Sequence, residues 1–168
     1  RVPRTTDSRH SLGIAPNLLK QNFRADAPDR VWLADISYVP TDEGWLYLAV
    51  LIDLYSRRVV GWATSDRLKR SLAVEALRRA IANRDPSPGL VHHSDRGVQY
   101  LSIRYSKRLD DNDIVASVGS KGDSYDGALV ESFNGLYKWE LIYSKGPCSG
   151  LEDVEFTTLT YVDWFNSR

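Results

Sequence analysis

The sequence predicts an α/β fold, a mixed five-stranded sheet with helices on both faces. Its predicted elements follow the order β-β-β-α-β-α-β-α-α along 168 residues, a length that suits one compact domain. The first three strands are joined by short turns, which favours an antiparallel meander. The fourth strand is reached through a helix, which favours a parallel neighbour. A sheet that contains both kinds of pairing is mixed.

The chain before the first predicted strand, residues 1–30, is polar, carries three prolines and shows no sustained hydrophobic period. We interpret it as an N-terminal arm or linker with one short helical turn near Asn17 to Gln21, and a disordered tail is the alternative. Residues 31–168 form the predicted core domain. The lack of any Met and a helical pattern that still runs at the last residues suggest a fragment whose C-terminal end is truncated.

Three apolar runs predict the meander. The run from Val31 to Pro40 ends at that proline and at the turn residues 41–44. The run from Trp45 to Leu54 is almost wholly apolar, as expected for a central strand covered on both faces. A third strand is predicted from Arg58 to Thr64.

The second half alternates helices and strands. Ser71 is predicted to cap a helix that runs to about Asn83, with its apolar residues on one side. The elements predicted after it are a buried strand at Gly89 to Ser94, a helix at Ser102 to Asp110, a strand at Ile114 to Val118, a helix capped by Asp126 that carries Glu131, and a last helix at Leu151 to Phe165 packed through Leu159, Val162 and Phe165.

Composition excludes several classes of protein and site. Lys plus Arg and Asp plus Glu both number 22, so a net charge of zero gives no global attraction to nucleic acid or membrane. A polyanion would have to meet local patches or bound metal. The lone Cys148 excludes an intramolecular disulfide and a multi-cysteine zinc site, which fits a reducing cytoplasm. No apolar run approaches the roughly 20 residues that span a bilayer, so no membrane partner is expected.

Three carboxylates stand where a plain structural role explains them poorly. Asp35 lies in the middle of an apolar strand, where an unpaired carboxylate is costly. Asp95 lies at the carboxyl end of a buried strand, where α/β sheets commonly hold ligands. Glu131 lies on an amphipathic helix after a Gly-rich loop. Brought together from two strands and a helix, these three groups would form a site for divalent metal.

The acids other than Asp35, and the nearby residues His93 and Asp53, could also have purely structural roles. Asp95 could be an ordinary turn aspartate, and Glu131 could be solvated or paired with Lys138. His93 shares the strand face of Asp95 and could touch metal or substrate, although a packed, hydrogen-bonded histidine is the state we expect. Asp53, which follows the second strand, is expected to make structural hydrogen bonds, with metal binding as the alternative.

The surroundings of the three acids carry more information than their spacing. The motifs DISY, YLAVLIDLYSRRVVGW, HHSDRGVQY and YDGALVESFNGLYKWEL occur in this order. This pattern resembles the integrase core of bacterial insertion-sequence transposases, which is closest to the retroviral integrases within the ribonuclease H-like superfamily. The resemblance runs from about Asn17 to the end. It departs at Gly127, where the relatives have Asn, and in lacking their basic C-terminal stretch.

The resemblance implies a ribonuclease H-like fold and a D-D-E triad in which Asp35, Asp95 and Glu131 are the catalytic, metal-binding residues. The cofactor implied is Mg²⁺ or Mn²⁺, two ions per site when DNA is bound, because a metal pair can activate the nucleophile and stabilise the leaving oxygen. We expect Asp35 to bridge both ions, Asp95 to hold one and Glu131 the other. Candidate DNA-binding residues are Lys138, which returns to the helix face of Glu131 after seven residues, and Asn134, Lys121, Arg96 and His93.

The activity implied is that of a DNA transposase. It would hydrolyse a phosphodiester at the end of a mobile element and then attack another phosphodiester with the freed 3′-hydroxyl. The partners implied are transposon ends and target DNA, with a homo-oligomer in the active complex and a bacterial cytoplasmic location on the nucleoid. Two alternatives stay open: a ribonuclease H-like nuclease that only cleaves, and a non-catalytic DNA-binding or assembly module.

Overall fold

The computed structural model describes residues 16–19, 24–68, 70–94, 103–119, 133, 135–137 and 150–167. Its elements are β1 (Val31–Thr41), β2 (Gly44–Asp53), β3 (Val59–Ser65), α1 (Arg70–Arg84), β4 (Val91–Ser94), α2 (Ile103–Asp111), β5 (Val115–Val118) and α3 (Leu151–Ser167). Phe133 and residues 135–137 are also helical. No helix of this part of the chain is long and apolar enough to cross a membrane.

The five strands form one sheet in the order β3-β2-β1-β4-β5. β1 pairs antiparallel with β2, and β2 with β3, which confirms the predicted meander. β4 pairs in parallel with β1 and with β5. The mixed sheet predicted from the sequence is therefore confirmed, and β1 is the strand at which antiparallel pairing changes to parallel pairing.

The hydrophobic core lies in two layers, one on each face of the sheet. Alternate residues of β1 face opposite sides, so that Trp32, Ala34 and Ile36 join a cluster with α1 and α2. The other alternate set, with Leu33 and Val39, joins a cluster with α3 and the helical residues Phe133 and Tyr137. We call the two sides the α1 face and the α3 face. Helices therefore cover both faces, as predicted.

Two details of the predicted helices are wrong. α1 begins at Arg70, so Ser71 lies inside the first turn and does not cap it. Leu159 is 58% exposed, whereas Val162 and Phe165 are buried as predicted. The buried stripe of α3 is set by spacings of three and four residues from Val154, through Thr158 and Tyr161 to Phe165, and position 159 falls off it.

The described part of the N-terminal region contacts the core. The predicted helical turn is not present in residues 16–19, where the backbone instead bonds to β5: the Val118 N–H donates to the Pro16 carbonyl at 3.0 Å. Further along, Asp29 accepts from the Trp32 indole and pairs with Arg84 of α1 at 3.0 Å. Both stretches therefore extend the packing of the sheet beyond its strands.

The packing of α1 on β3 depends on the absence of a side chain at Gly61. A Cβ at this position would lie 2.5 Å from the Ala76 carbonyl oxygen and 2.7 Å from the Ala80 Cβ, both on the rigid helix. Only glycine allows the helix to approach the strand this closely. Small residues on both elements therefore set the distance between α1 and the sheet.

The first prediction concerns this close approach. Gly61→Ala should lower the free energy of unfolding by about 1–3 kcal/mol, because α1 must move away from β3 to relieve the overlap. The matched control is Gly135→Ala, since Gly135 is helical and a Cβ there would meet nothing within 4 Å. Urea unfolding of both variants measures the effect, and equal stabilities would contradict it.

A buried histidine joins β4 to α2. The His92 imidazole is hydrogen-bonded to the Tyr105 hydroxyl, and both side chains are almost fully buried. Burial lowers the pKa of His92 to about 4, against an ordinary value near 6.5, and the neighbouring His93 adds to this effect. Burial also raises the pKa of Tyr105 well above its usual value. The pair is therefore neutral at pH 7.

The second prediction follows from that depressed pKa. Between pH 6.5 and about 4 the unfolded chain binds a proton on His92 that the folded chain does not, so stability should fall as the pH falls through this window. The contribution has a maximum slope of about 1.4 kcal/mol per pH unit. Urea unfolding at pH 7.5, 6 and 5 should show a smaller loss in His92→Gln than in the unsubstituted chain. Parallel pH profiles would contradict the assignment.

Candidate active site

Asp35 is the predicted site residue that the structure describes most fully. It lies on β1 opposite Val50 of β2, and its side chain is partly exposed while its strand neighbours Ala34 and Ile36 are buried. The Ser37 hydroxyl donates to Asp35 Oδ2 at 3.4 Å. By strand alternation Asp35 belongs to the α3 face, with Leu33 and Val39. A rigid strand thus presents a carboxylate that water and ions can reach.

The parallel neighbour of β1 ends beside this carboxylate. Leu33 pairs with His93 of β4, and Asp35 lies two residues further along β1 on the same face. β4 ends at Ser94, whose carbonyl accepts from the Gly119 N–H at 2.8 Å. By this register the described end of β4 is level with Ala34, one residue before Asp35 along β1.

His93 is packed in the core, which is the state expected for it. Its side chain is 1% exposed, and its Nδ1 lies 2.7 Å from the Ser117 hydroxyl of β5. Such a buried ring offers no surface to a DNA strand. His93 is therefore withdrawn from the candidate DNA contacts, and its place at the end of β4 gives it a structural role beside the candidate site.

The α3 face also carries the described residues of the helix on which Glu131 was predicted. Phe133 and Tyr137 are fully buried and their rings stack at 5.8 Å, nearly parallel. Both contact Tyr161 of α3, and the Tyr137 hydroxyl is hydrogen-bonded to Thr158. They share one core cluster with Leu33 and Val50. A helical turn is thus fixed against the sheet face to which Asp35 belongs.

The remaining candidates lie outside the described residues. These are Asp95, Arg96, Lys121, Glu131, Asn134 and Lys138, together with the predicted cap Asp126. Within the ranges given above, no three His, Cys, Asp or Glu residues are grouped so that they could hold a metal ion. Two of the three predicted carboxylates fall outside those ranges, so the triad stays a prediction.

Asp53 makes the structural hydrogen bonds expected of it. It is fully buried, with one carboxylate oxygen accepting from the Asp29 N–H at 2.9 Å and the other from the Ser56 N–H and hydroxyl at 2.8 and 2.6 Å. It pairs with Trp32, three residues before Asp35 and on the opposite face. Its oxygens are used to fix the turn after β2 and the approach to β1.

The described geometry supports one kind of chemistry. A partly exposed carboxylate held on a paired strand can bind a hard cation or hold a proton without moving, because β2 fixes the backbone that carries it. The residues missed by sequence reasoning are Ser37 and Ser117. Neither has a signal in its local pattern, because each is defined only by a contact that the folded sheet creates.

The third prediction compares the stability lost on replacing the buried Asp53 with that lost on replacing the exposed Asp110. Asp53→Ala should lower the free energy of unfolding by on the order of 3 kcal/mol, because three donors lose a charged acceptor in a buried place. Asp110→Ala is the control, since Asp110 is exposed on α2 and should change stability by less than about 0.5 kcal/mol. Chemical unfolding measures both, and a neutral Asp53→Ala would refute the structural role.

The chain is similar in sequence to a known protein family and to several transposases. Residues 25–124 match the integrase core domain family. The transposase for insertion sequence element IS629 of Shigella sonnei is 44% identical over 98% of this chain and 55% of its own length. Transposase InsF for insertion sequence IS3A of Escherichia coli is 42% identical over 92% of this chain and 53% of its own length. The chain thus spans about half the length of these curated relatives.

Solved structures show the same fold at low identity. A chain of the simian T-cell lymphotropic virus intasome, solved with the PP2A regulatory subunit B56 gamma, superposes with a TM-score of 0.65 at 20% identity, covering 95% of this chain and 54% of that one. The HTLV-2 integrase catalytic core domain, solved in complex with magnesium, superposes with a TM-score of 0.62 at 19% identity, covering 83% and 87%. The ribonuclease H-like fold is thereby confirmed, and the sequence matches show that the chain belongs to the integrase core domain family.

Proposed function

We propose that this chain is the catalytic domain of a DNA transposase. In the first step water attacks a phosphodiester at the end of the mobile element and the 3′ oxygen leaves as a hydroxyl. In the second step that hydroxyl attacks a phosphodiester of the target, forming one bond to phosphorus as another breaks. The observation that carries the proposal is Asp35: a partly exposed carboxylate in an otherwise buried stretch of β1, in a chain of the integrase core domain family.

Three carboxylates are proposed to act together. Asp35 is fixed by β1, and Asp95 follows Ser94, the last residue of the parallel strand β4. Glu131 precedes Phe133 by two residues in the sequence, and Phe133 is buried in the core cluster of the α3 face. Covalent connection to these described residues is what supports a common site, since one Cα step spans only about 3.8 Å.

The residues fit a hard divalent cation, because carboxylate oxygens are the ligands that Mg²⁺ and Mn²⁺ take. Asp35, Asp95 and Glu131 would hold the metal, proposed as two ions when DNA is bound. Metal held there would supply charge neutralisation at the scissile phosphate and a more acidic water or hydroxyl. The magnesium in the HTLV-2 core structure supports this choice. The protein's own contribution is rigidity, because a strand residue paired on one side and packed beside β4 keeps its carboxylate in place.

Contacts with DNA are proposed for the helix face that carries Glu131. On an ideal helix, positions 131, 135 and 138 lie within about 60° of one another, and Gly135 is exposed. Lys138 and Asn134 are the proposed contacts on that helix, with Lys121 and Arg96 as further candidates. The partners proposed are transposon ends and target DNA, bound by an oligomer of this protein in the bacterial cytoplasm. One structural relative was solved as an intasome, and the HTLV-2 integrase core was solved in a dimeric form. Both support an oligomeric assembly.

The fourth prediction tests the triad. Asp35→Asn and Glu131→Gln should each reduce DNA cleavage and joining at least about 1,000-fold, the loss expected when several kcal/mol of transition-state stabilisation are removed. Stability should change by less than about 1 kcal/mol, because neither residue is proposed to pack in the core. Gel assays on a labelled element end measure both steps, with Asp110→Asn as the control. A variant that keeps full activity would remove that residue from the mechanism.

The same assay separates the alternatives. A precut end, which needs no hydrolysis, should still be joined to target DNA, and a nuclease that only cleaves would leave it unjoined. A non-catalytic DNA-binding module would neither cleave nor join and would not bind Mg²⁺ or Mn²⁺ at millimolar concentration with DNA present.

A further inference from the structure

The described segment Pro16–Leu19 lies along the outer edge of β5, the last strand of the sheet. β5 has β4 on one side, so the backbone groups of its other side face away from the sheet. One of them, the Val118 N–H, donates to the Pro16 carbonyl at 3.0 Å. Leu19 is partly buried against the core cluster of the α3 face. The segment thus covers the carboxyl end of this edge, at Val118.

A second contact of this segment reaches into the sheet through a side chain. The Leu18 N–H donates to the Ser117 hydroxyl oxygen at 2.8 Å. The same oxygen lies 2.7 Å from Nδ1 of His93, and both side chains are 1% exposed. The serine hydroxyl accepts a hydrogen bond from the Leu18 N–H. Its second hydrogen bond, to His93, is donated by the imidazole if Nδ1 carries the proton and by the hydroxyl if it does not. One hydroxyl therefore joins residue 18 to residue 93 across two strands.

β5 also holds the backbone at the end of β4. Ser94 pairs with Val118, and the Ser94 carbonyl accepts from the Gly119 N–H at 2.8 Å. The last two residues of β4 are therefore held by the end of β5 and the residue after it: His93 through the Ser117 side chain, and Ser94 through Val118 and Gly119. Two of those three residues are in turn bonded to Pro16 and Leu18.

We propose that Ser117 is a positioning residue, and that the docked segment Pro16–Leu19 acts through it to fix the end of β4 from which Asp95 continues. The catalytic part of this inference rests on the proposed function. A carboxylate that must stay within a fraction of an ångström of its productive place depends on the rigidity of the residues before it. The hydroxyl supplies that rigidity through His93, and the Leu18 N–H holds the hydroxyl.

Two substitutions break this connection at different points. Ser117→Ala removes the hydroxyl and both of its hydrogen bonds. Leu18→Pro keeps the hydroxyl and removes the N–H that donates to it, and it also fixes φ at position 18 and replaces the side chain. Leu18→Ala is the control for the second, since it keeps the N–H and shortens a side chain that is already 47% exposed. Ser65→Ala is the control for the first, because Ser65 is another buried serine whose hydroxyl accepts a backbone N–H, that of Arg67 at 3.1 Å.

The fifth prediction uses two readouts. Hydrogen exchange of the Gly119 N–H should be at least about tenfold faster in Ser117→Ala and in Leu18→Pro than in either control. The kcat for joining a precut DNA end should fall about tenfold in the same two variants, with the KM for DNA unchanged. The double variant should be no worse than the more affected single variant, because both act along one route.

Each outcome decides the inference. Unchanged Gly119 exchange, a kcat equal to that of the controls, or a double variant whose losses multiply would overturn it. A fall in kcat that merely follows thermal stability, and that Ser65→Ala reproduces at equal loss of stability, would also overturn it. If the unsubstituted chain neither cleaves nor joins DNA, the proposed function fails by itself, and the exchange of Gly119 alone decides whether Ser117 fixes the end of β4.

Discussion

The structure depends on β1 holding a charged side chain among buried hydrophobic residues. Six residues of the stretch from Val31 to Val39 are buried hydrophobics shared between the two core layers, and Asp35 interrupts them. Desolvation of a carboxylate in such a place is costly unless the site stays accessible or charged partners are near. β1 is also where antiparallel pairing with β2 meets parallel pairing with β4, so the carboxylate stands where two differently connected parts of the chain come together.

Each edge strand of the sheet is bonded at one end by a residue from a distant part of the chain. At β3 the Asn166 side chain of α3 accepts from the Val59 N–H and donates to the Val59 carbonyl, at 2.8 and 3.1 Å, as a neighbouring strand would. At β5 the segment Pro16–Leu19 performs the same task with backbone groups. These contacts satisfy backbone groups that face away from the sheet and fix one end of each outer strand.

The sequence predicted what depends on local pattern. Apolar runs, turn residues and helical spacing were enough for the order of elements and for the mixed pairing, because a short turn and a helical crossover leave few topologies. Leu159 was assigned to the core incorrectly, because several apolar residues of α3 compete for one buried stripe and only tertiary contact selects among them. The docking of residues 16–19 was missed for a similar reason, since its hydrogen bonds join Leu18 to a serine 99 residues away.

The residues of the candidate site also fall into those that the sequence could identify and those that only the fold reveals. Asp35 could be singled out because a charge in an apolar strand is conspicuous, and Asp53 could be given a structural role because it stands at a strand end. Ser117 could not, because a serine in a short strand has no distinguishing feature until its neighbours are known. The triad as a whole stays a prediction that rests on the resemblance of the motif order, and the family match over residues 25–124 includes Asp35 and Asp95 but not Glu131.

We propose that one divalent site joins Asp35 of β1 to Asp95, which follows β4, and to Glu131, which precedes Phe133. The most direct test is anomalous diffraction from crystals of the protein with a precut DNA end and Mn²⁺. We expect manganese bonded to carboxylate oxygens of Asp35, Asp95 and Glu131 beside the 3′ end of the DNA. Manganese bound elsewhere, with Asp35 outside its coordination shell, would contradict it.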